Sequence, residues 1–228
     1  MTVLASAIIN RVRSLLVDEE TTPRWTDTEL LRHLSDGQRT IAMMQPDSAS
    51  RISSVLLASG TRQSLPADGQ QLLSIIRNMG TTGTTPGRAI RITRREIMDD
   101  QVPDWHAVAK ANYTSNYMYD PQDATAFFVY PPSNGTNYVE LNYTFIPAEI
   151  TALTDAIELS DMYLTPLTDY IMFRAHQKDA DSSSGSQVAD MYLKIFTLFL
   201  QGSDGGELEN NPNLQTTPFN PGAKGSAK

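Results

Sequence analysis

The segment RWTDTELLRHLSDGQRTIAMMQPDS, residues 24–48, decides the fold because it carries a complete set of helix signals. Thr26 is a candidate N-cap, and Glu29 three residues later completes a capping box. Trp25 precedes the cap and Leu30 follows at the fourth helical position, so the two can close as a hydrophobic staple. Apolar residues then recur every three to four positions until a proline ends the pattern. The predicted buried face consists of Leu30, Leu31, Leu34, Ile41 and Ala42.

Three other segments have helical periodicity, near residues 2–17, 161–178 and 187–201. The second of them has Pro166 at a position that favours a helix start. The third is preceded by a serine-rich turn at 182–186 and followed by Gly202, which is a good C-terminal stop. The predicted apolar stripes are Leu4, Ile8, Val12, Leu15 and Leu16; Leu167, Tyr170, Ile171, Arg174 and Ala175; and Val188, Met191, Tyr192, Ile195, Phe196 and Phe199.

The pattern between Arg51 and Leu159 changes to that of β-strands. Short apolar or β-branched runs occur at 52–57, 89–93 and 126–130, and residues 139–145 alternate strictly between apolar and polar. The sequence Ser-Asn-Gly-Thr at 133–136 is a turn signal between the last two runs. These features predict that residues 126–145 form a β-hairpin.

The order helix, helix, strands, helix, helix predicts an α+β protein in which the terminal helix pairs pack together. We expect residues 1–50 and 160–202 to form a helical bundle. Residues 51–159 would form a β-rich insertion between the two helix pairs. Residues 203–228 would form an extended C-terminal arm.

The predicted arm is poor in groups that can build a core. Its 26 residues include 4 Gly, 3 Pro and 4 Asn, so it cannot bury enough apolar surface to fold alone. Taken alone, this composition favours a disordered terminus. The other interpretation is an arm that orders on a partner through its spaced apolar residues. Those anchors would be Leu208, Leu214 and Phe219.

Composition limits the classes of function that the chain can have. It has no cysteine, so disulfides and thiolate metal sites are excluded. It contains no run of 18 apolar residues, and its N-terminal segment is typical of an amphipathic helix rather than a signal peptide. The net charge is -8, and residues 111–228 hold 14 acidic against 5 basic residues. Such a surface suits solubility, or a passage through which DNA slides without being held.

No sequence motif indicates catalytic activity. His33, His106 and His176 do not occur at metal-ligand spacings, and each is expected to be a packing or surface residue. Asp99 and Asp100 are the tightest acidic pair, and their neighbourhood predicts a solvated loop. The segment GTTGTTPG at 80–87 lacks the Gly-Lys-Ser/Thr ending of a phosphate loop. We therefore predict no catalytic, cofactor-binding or metal-binding residue, and no enzyme activity.

One basic cluster and one aromatic cluster remain. The basic cluster can touch DNA or an acidic partner, although a strand edge guarded by charge is the simpler interpretation. The aromatic residues between 105 and 145 allow a carbohydrate- or protein-binding β module, although most should be core residues. A small hydrolase is a further alternative without a supporting motif. The basic cluster consists of Arg88, Arg91, Arg94 and Arg95.

Four stretches taken together resemble the head-to-tail adaptor (connector) proteins of tailed phages. They are the segment 24–48 quoted above, LPADGQQLLSIIRNMG at 65–80, IRITRREIMDDQVPDWHA at 90–107 and DYIMFRAHQKDADS at 169–182. Their order and spacing carry the resemblance, which extends over about residues 1–202. His176 departs from the family pattern, where a Tyr is more usual, and so does Pro166.

The resemblance implies a structural virion protein of the neck, assembled in the host cytoplasm. Such adaptors form a ring, typically of 12 copies, between the portal protein and the tail or nozzle proteins. The ring surrounds the exit channel and makes only transient, non-specific contact with passing double-stranded DNA, with no membrane partner. The resemblance also makes the arm with Leu208, Leu214 and Phe219 the expected portal-docking segment.

Overall fold

The computed structural model describes residues 3–18, 23–120, 122–178 and 183–210, with backbone alone for 183–184 and 203–210. Within these residues the fold is α+β, with five α-helices and two β-sheets. The helices are α1 (Ala5–Leu16), α2 (Asp27–Met44), α3 (Arg95–Gln101), α4 (Leu164–Lys178) and α5 (Ser183–Asn210). The strands are β1 (Ser50–Leu56), β2 (Gly60–Ser64), β3 (Gly69–Asn78), β4 (Arg91–Ile92), β5 (Asn116–Tyr119), β6 (Ala126–Ser133) and β7 (Tyr138–Phe145).

Helix α2 begins as its sequence predicts. The Thr26 hydroxyl oxygen accepts a hydrogen bond from the Glu29 backbone N–H at 3.3 Å, which satisfies one of the free donors of the first turn. Trp25 and Leu30 on either side of this cap are both buried. The whole predicted face of the helix is buried as well, so the prediction for α2 is confirmed.

Helix α4 lies against α1, α2 and α5. Gly37 of α2 packs against α4, where a Cβ atom would lie only 3.1 Å from Tyr170 Cδ1 and 3.2 Å from Leu167 Cδ2. A side chain at position 37 would therefore require these two neighbours to shift by a few tenths of an ångström. The exposed ends of the two helices are joined by Lys178, whose Nζ donates to Glu29 Oε1 at 2.7 Å.

Buried polar residues of α2 and of its C-cap tie the helices to the rest of the chain. The Ser35 hydroxyl oxygen accepts a hydrogen bond from the Ile150 backbone N–H at 3.0 Å. Gln45 accepts from the Tyr163 hydroxyl at 3.0 Å and donates to the Leu200 carbonyl at 2.6 Å. Buried groups of this kind are costly unless paired, so these bonds fix how the connecting segment and α5 sit on α2.

The strands form two separate sheets. The three-stranded sheet has the order β1-β7-β3 and is antiparallel throughout. The four-stranded sheet has the order β2-β6-β5-β4, with β4 parallel to β5. One hydrophobic cluster includes residues of both sheets and of α1, α2, α4 and α5, whereas Met98, Trp105 and Met118 form a second, smaller cluster.

The predicted hairpin at residues 126–145 is wrong. Both of its strands exist, but β6 pairs with β2 and β5, while β7 pairs with β1 and β3. The turn at Asn134 and Gly135 thus carries the chain from one sheet to the other. Strand β6 also continues through both prolines to Ser133 instead of ending before them. Turn residues specify a change of direction, but they do not specify the pairing partner.

The predicted end of the last helix is also wrong. Helix α5 begins at Ser183, inside the predicted serine-rich turn, and continues past Gly202 to Asn210. The first part of the expected extended arm, residues 203–210, is therefore helical. A glycine lowers helix propensity by about 1 kcal/mol, which the neighbouring helical residues can offset. The remainder of the arm, residues 211–228, lies outside the described residues.

Two smaller predictions need correction. Asp99 and Asp100 lie in helix α3 and not in a loop, and the Arg95–Asp99 pair, with Nε and Oδ2 3.7 Å apart, is spaced for helical support. In α1, Leu4 and Leu15 of the predicted stripe are exposed, whereas Ala5 and Ile9 are buried in the core. The inward face of this helix is rotated slightly from the one that the sequence pattern suggests.

Candidate assembly surfaces

Helix α5 presents an apolar surface that the other described residues do not cover. Its inward side buries Ala189, Phe196 and Leu200 against the rest of the fold. Of the predicted apolar face of this helix, only Phe196 is fully buried. Met191 and Ile195 remain 49% and 42% exposed, and Leu198 next to them is 66% exposed. These three residues, spaced four and three apart, form one stripe, which we call the α5 stripe.

The predicted basic cluster lies at the edge of the four-stranded sheet. Arg91 belongs to the edge strand β4, Arg94 precedes α3, and Arg95 is the first residue of α3. Arg88 lies just before β4, and all four side chains are exposed. Arg95 is held by Asp99, while the side chains of the other three have no ion-pair partner among the described residues. The structure therefore brings the four together as a basic sheet edge.

An open cleft of about 570 Å³ adjoins this edge beneath α3. The guanidinium of Arg95 lies 5.4 Å from the centre of the Phe128 ring, within the range of a cation–π contact. The cleft thus combines two arginines and two carboxylates with an apolar floor. Its lining residues are Arg94, Arg95, Glu96, Ile97, Met118, Tyr119, Asp120 and Phe128.

Trp105 fixes the position of α3 and so of the basic edge. Its side chain is fully buried with Met98 and Met118, and its indole N–H donates to Asp99 Oδ1 at 2.7 Å. The edge of its ring meets Phe128, with centroids 5.9 Å apart. The sequence showed an aromatic run at this place, but only the structure shows that its tryptophan supports a charged surface.

Asn78 fixes the other end of the same edge. Its side-chain amide donates to the Arg88 carbonyl at 2.9 Å and to the Thr114 carbonyl at 2.8 Å. Its side-chain oxygen accepts from the Thr114 backbone N–H at 2.8 Å. One buried asparagine therefore joins the end of β3 to the segments before β4 and β5. The sequence pattern did not indicate a role for this residue, because its hydrogen-bond partners lie 10 and 36 residues away along the chain.

Five of the ten aromatic residues between 105 and 145, the set considered as a sugar-binding platform, lie in the core, and four more are half-buried. Trp105, Phe127 and Tyr143 are buried, and so are Tyr117 and Phe145. Tyr113 is an exposed exception. The set therefore forms a packed interior more than a flat binding surface, as cross-strand aromatic pairs usually do.

The three histidines lie in unrelated settings. His106 stacks on Trp105 with ring centroids 3.5 Å apart, and His176 stacks on Tyr192 at 5.7 Å. Burial lowers the pKa of His33 on α2, and the nearby Arg174 lowers it further. Within the described residues, no three His, Cys, Asp or Glu side chains converge as metal ligands would.

One further ionisable group is shifted between α1 and α4. Burial raises the pKa of the Asp169 carboxyl, and the charge of Arg11 on α1 opposes this change. This pair belongs to the helix packing and not to a cleft.

In the part of the chain that the structure describes, no helix is both long enough and apolar enough to cross a membrane.

A folded α+β core that leaves an apolar helix stripe and a basic sheet edge uncovered is typical of a structural subunit that assembles with other proteins. The sequence comparison agrees with this class. The sequence model of the SU10 adaptor protein family matches residues 1–215, so the chain belongs to this family of phage head–tail adaptors. No curated protein sequence matches the chain. Of the predicted docking residues, Leu208 lies in the backbone-only part of α5, and Leu214 and Phe219 lie outside the described residues.

Proposed function

We propose that the chain is a structural subunit of the virion neck, without enzymatic activity. It forms a ring of about 12 copies, the number typical of such adaptors, between the portal and the tail and around the DNA exit channel. The α5 stripe carries this proposal. Burying exposed apolar surface contributes about 25 cal/mol per Å², and a ring repeats each contact around its whole circumference. In the ring the terminal helix pairs act as one bundle, and residues 51–159 act as the β-rich insertion.

The ring position gives each surface a partner. The α5 stripe meets the neighbouring copy, and the C-terminal arm, with Leu208, Leu214 and Phe219, docks on the portal. The β-rich insertion faces the tail or nozzle proteins. The acidic half of the chain keeps the channel from holding the DNA that passes through it. Assembly takes place in the host cytoplasm before the neck is complete.

The decisive experiment mixes the purified chain with the portal protein of the same phage and measures the mass of the product. We expect several copies to bind each portal and to appear as a collar by electron microscopy. The double variant Ile195→Asp with Leu198→Asp should weaken binding to the portal at least about tenfold, a change of about 1.4 kcal/mol, because it places charge in an apolar contact.

Asp190→Asn on the same helix is the matched control, since it changes an exposed residue outside the α5 stripe. Its binding should equal that of the unaltered chain. A chain that remains unbound in the presence of its portal would refute the adaptor proposal. Full binding by the double variant would show that the α5 stripe is not part of the contact.

The basic sheet edge is proposed to make the transient contact with passing DNA. Replacing Arg88, Arg91 and Arg94 with Gln should weaken binding to duplex DNA and flatten its dependence on salt. Each lost phosphate contact changes the slope of log K against log salt by about 0.9. Binding is measured by fluorescence anisotropy across a salt series.

Arg62→Gln is the control for this experiment. Arg62 already pairs with Asp123, with its NH2 group 3.3 Å from Oδ2, so its loss should leave the salt slope unchanged. An identical slope for the triple variant and the unaltered chain would show that the basic edge does not contact DNA. The edge would then be explained by protection of β4 from strand pairing.

A further inference from the structure

Among the described residues the two sheets have four outer strands, and β1 alone lacks protection of its outer edge against strand pairing. Strand β4 has two residues and contains Arg91, and β2 has a register shift and the charged Arg62. Strand β3 has three register shifts, and the backbone of residues 87–90 bonds to its end. Short length, charge, bulges and a covering segment are the usual means of blocking an edge.

Strand β1 has none of these features along its outer hydrogen-bonding edge, although Gly83 packs on the face of the sheet beside Ser54, where an added Cβ atom would lie 3.1 Å from Ser54 Oγ. Its seven residues pair with β7 in an unbroken register and include no proline or lysine. Its one charge, Arg51, lies near the start of the strand and is engaged by Asp68 at 3.0 Å and Glu158 at 3.1 Å. Such a regular and uncharged edge is a template for another strand.

The direction of the free backbone groups follows from one hydrogen bond. The Leu57 N–H donates to the Asn137 carbonyl at 3.0 Å, and these residues face each other in the β1–β7 register. Facing residues in an antiparallel pair alternate between bonded and non-bonded. Ile52, Ser54 and Leu56 therefore direct their N–H and C=O groups away from β7, where these groups have no partner among the described residues.

The side chains at these positions complement a second copy of the same strand. Ile52 is 59% exposed and Leu56 is 48% exposed, with the exposed Ser54 midway between them. In an antiparallel pair centred on Ser54, Ile52 faces Leu56 of the second copy, and Ser54 faces its own equivalent. Apolar groups then meet apolar groups, and no charges of like sign face each other.

We propose that free subunits dimerise through β1 in this register, which joins the two three-stranded sheets into one continuous sheet. The pairing forms about six main-chain hydrogen bonds, two for each of the facing pairs. A two-fold contact of this kind joins only two copies, because both copies use the same surface. A ring needs two different surfaces on each copy. The pairing therefore covers β1 in subunits outside the ring, and it does not depend on the proposed neck function.

The first test uses the absence of cysteine from the chain. In the proposed dimer the two Cα atoms of residue 54 lie about 5.5 Å apart, within the range that a disulfide spans. Ser54→Cys should therefore form a covalent dimer under mild oxidation. Ser50→Cys is the matched control, since Ser50 is also an exposed serine on β1. Its two copies would lie about 27 Å apart, so we expect at least about tenfold less dimer. Equal yields, or no dimer from Ser54→Cys, would overturn the proposal.

The second test uses charge at the two-fold axis. Ser54→Lys and Ser54→Asp should each sediment as monomers, because like charges then face each other. An equal mixture of the two should recover the dimer. A monomeric unaltered chain at all concentrations, or a mixture that stays monomeric, would overturn the proposed register. Pairing of β1 only with a strand of a different virion protein would overturn the choice of partner.

Ile195→Asp in the Ser54→Cys background separates this proposal from the ring contact. The β1 dimer should form a disulfide with unchanged yield in this variant, even where portal binding is lost. Equal melting temperatures for all the variants confirm that the fold is intact. Loss of the disulfide in the Ile195→Asp background would show that α5, and not β1, holds the dimer.

Discussion

Replacing Trp105 with Ala is expected to lower the free energy of unfolding by about 3–5 kcal/mol, the usual cost of removing a buried aromatic side chain. Trp105 is fully buried and is the largest member of the second cluster, which otherwise contains only Met98 and Met118 as buried residues. Its removal leaves a cavity between these residues and the half-buried Val102, Phe128 and Tyr130 that pack against them. The indole N–H bond to Asp99 is lost as well.

Denaturant unfolding followed by circular dichroism measures this effect, and proteolysis shows whether the loss is local to residues 88–108. Trp105→Phe is the graded control, because it keeps most of the apolar volume and removes only the hydrogen bond and part of the ring. It should cost about 1–2 kcal/mol. The protein has two tryptophans, so Trp25→Phe leaves Trp105 as the single fluorescent reporter of this cluster. An unfolding midpoint for Trp105→Ala equal to that of the unaltered chain would contradict the assigned role.

Local sequence signals predicted α1, α2, α4 and α5, whereas Asp99 and Asp100 of α3 were expected to lie in a loop. The Thr26 cap and the apolar residues three to four positions apart are both local features of α2. Helix bonds are local, so the residues that form them are also the residues that specify them. The end of α5 was predicted wrongly because each of the three glycines within residues 202–206 disfavours a helix by only about 1 kcal/mol.

The strands were recognisable one by one, but their pairing was not. Strand β7 alternates as a half-buried strand should, and the turn before it has typical residues, yet its neighbours are β1 and β3. Pairing depends on contacts between distant parts of the chain, which no local pattern contains. For the same reason the sequence pattern did not indicate the structural role of Asn78, whereas the close spacing of four arginines predicted the basic cluster. Surface charge can be read from composition, but a buried amide network cannot.

The candidate surfaces also differ in how far the sequence could predict them. The sequence predicted the apolar residues of α5 as a wide face, and the structure shows which part of that face is left uncovered. The unprotected edge of β1 emerged only from the order of the strands, because an edge is a property of the sheet and not of the strand.

Removing residues 211–228 is expected to abolish portal binding while leaving the fold unchanged. The deleted segment contains Leu214 and Phe219 among proline, glycine and polar residues, and it begins where the described part of α5 ends. Its composition predicts no contribution to a core, so we expect the melting temperature to stay unchanged. Segments of this kind contribute by ordering on a partner, and many weak contacts add up when a ring presents every copy at once.

Portal binding is measured by co-sedimentation, and we expect at least about a hundredfold loss of affinity, equivalent to about 2.7 kcal/mol. Truncation after Asn210 is the proper cut, because truncation after Gly202 would also remove eight helical residues of α5. The double variant Leu214→Ala with Phe219→Ala should reproduce most of the loss, since buried apolar anchors dominate such contacts. Gln215→Ala with Asn220→Ala is the matched control in the same segment and should bind normally. A truncated chain that binds the portal with full affinity would place the docking contact on the folded part of the molecule, with the α5 stripe as the nearest apolar surface.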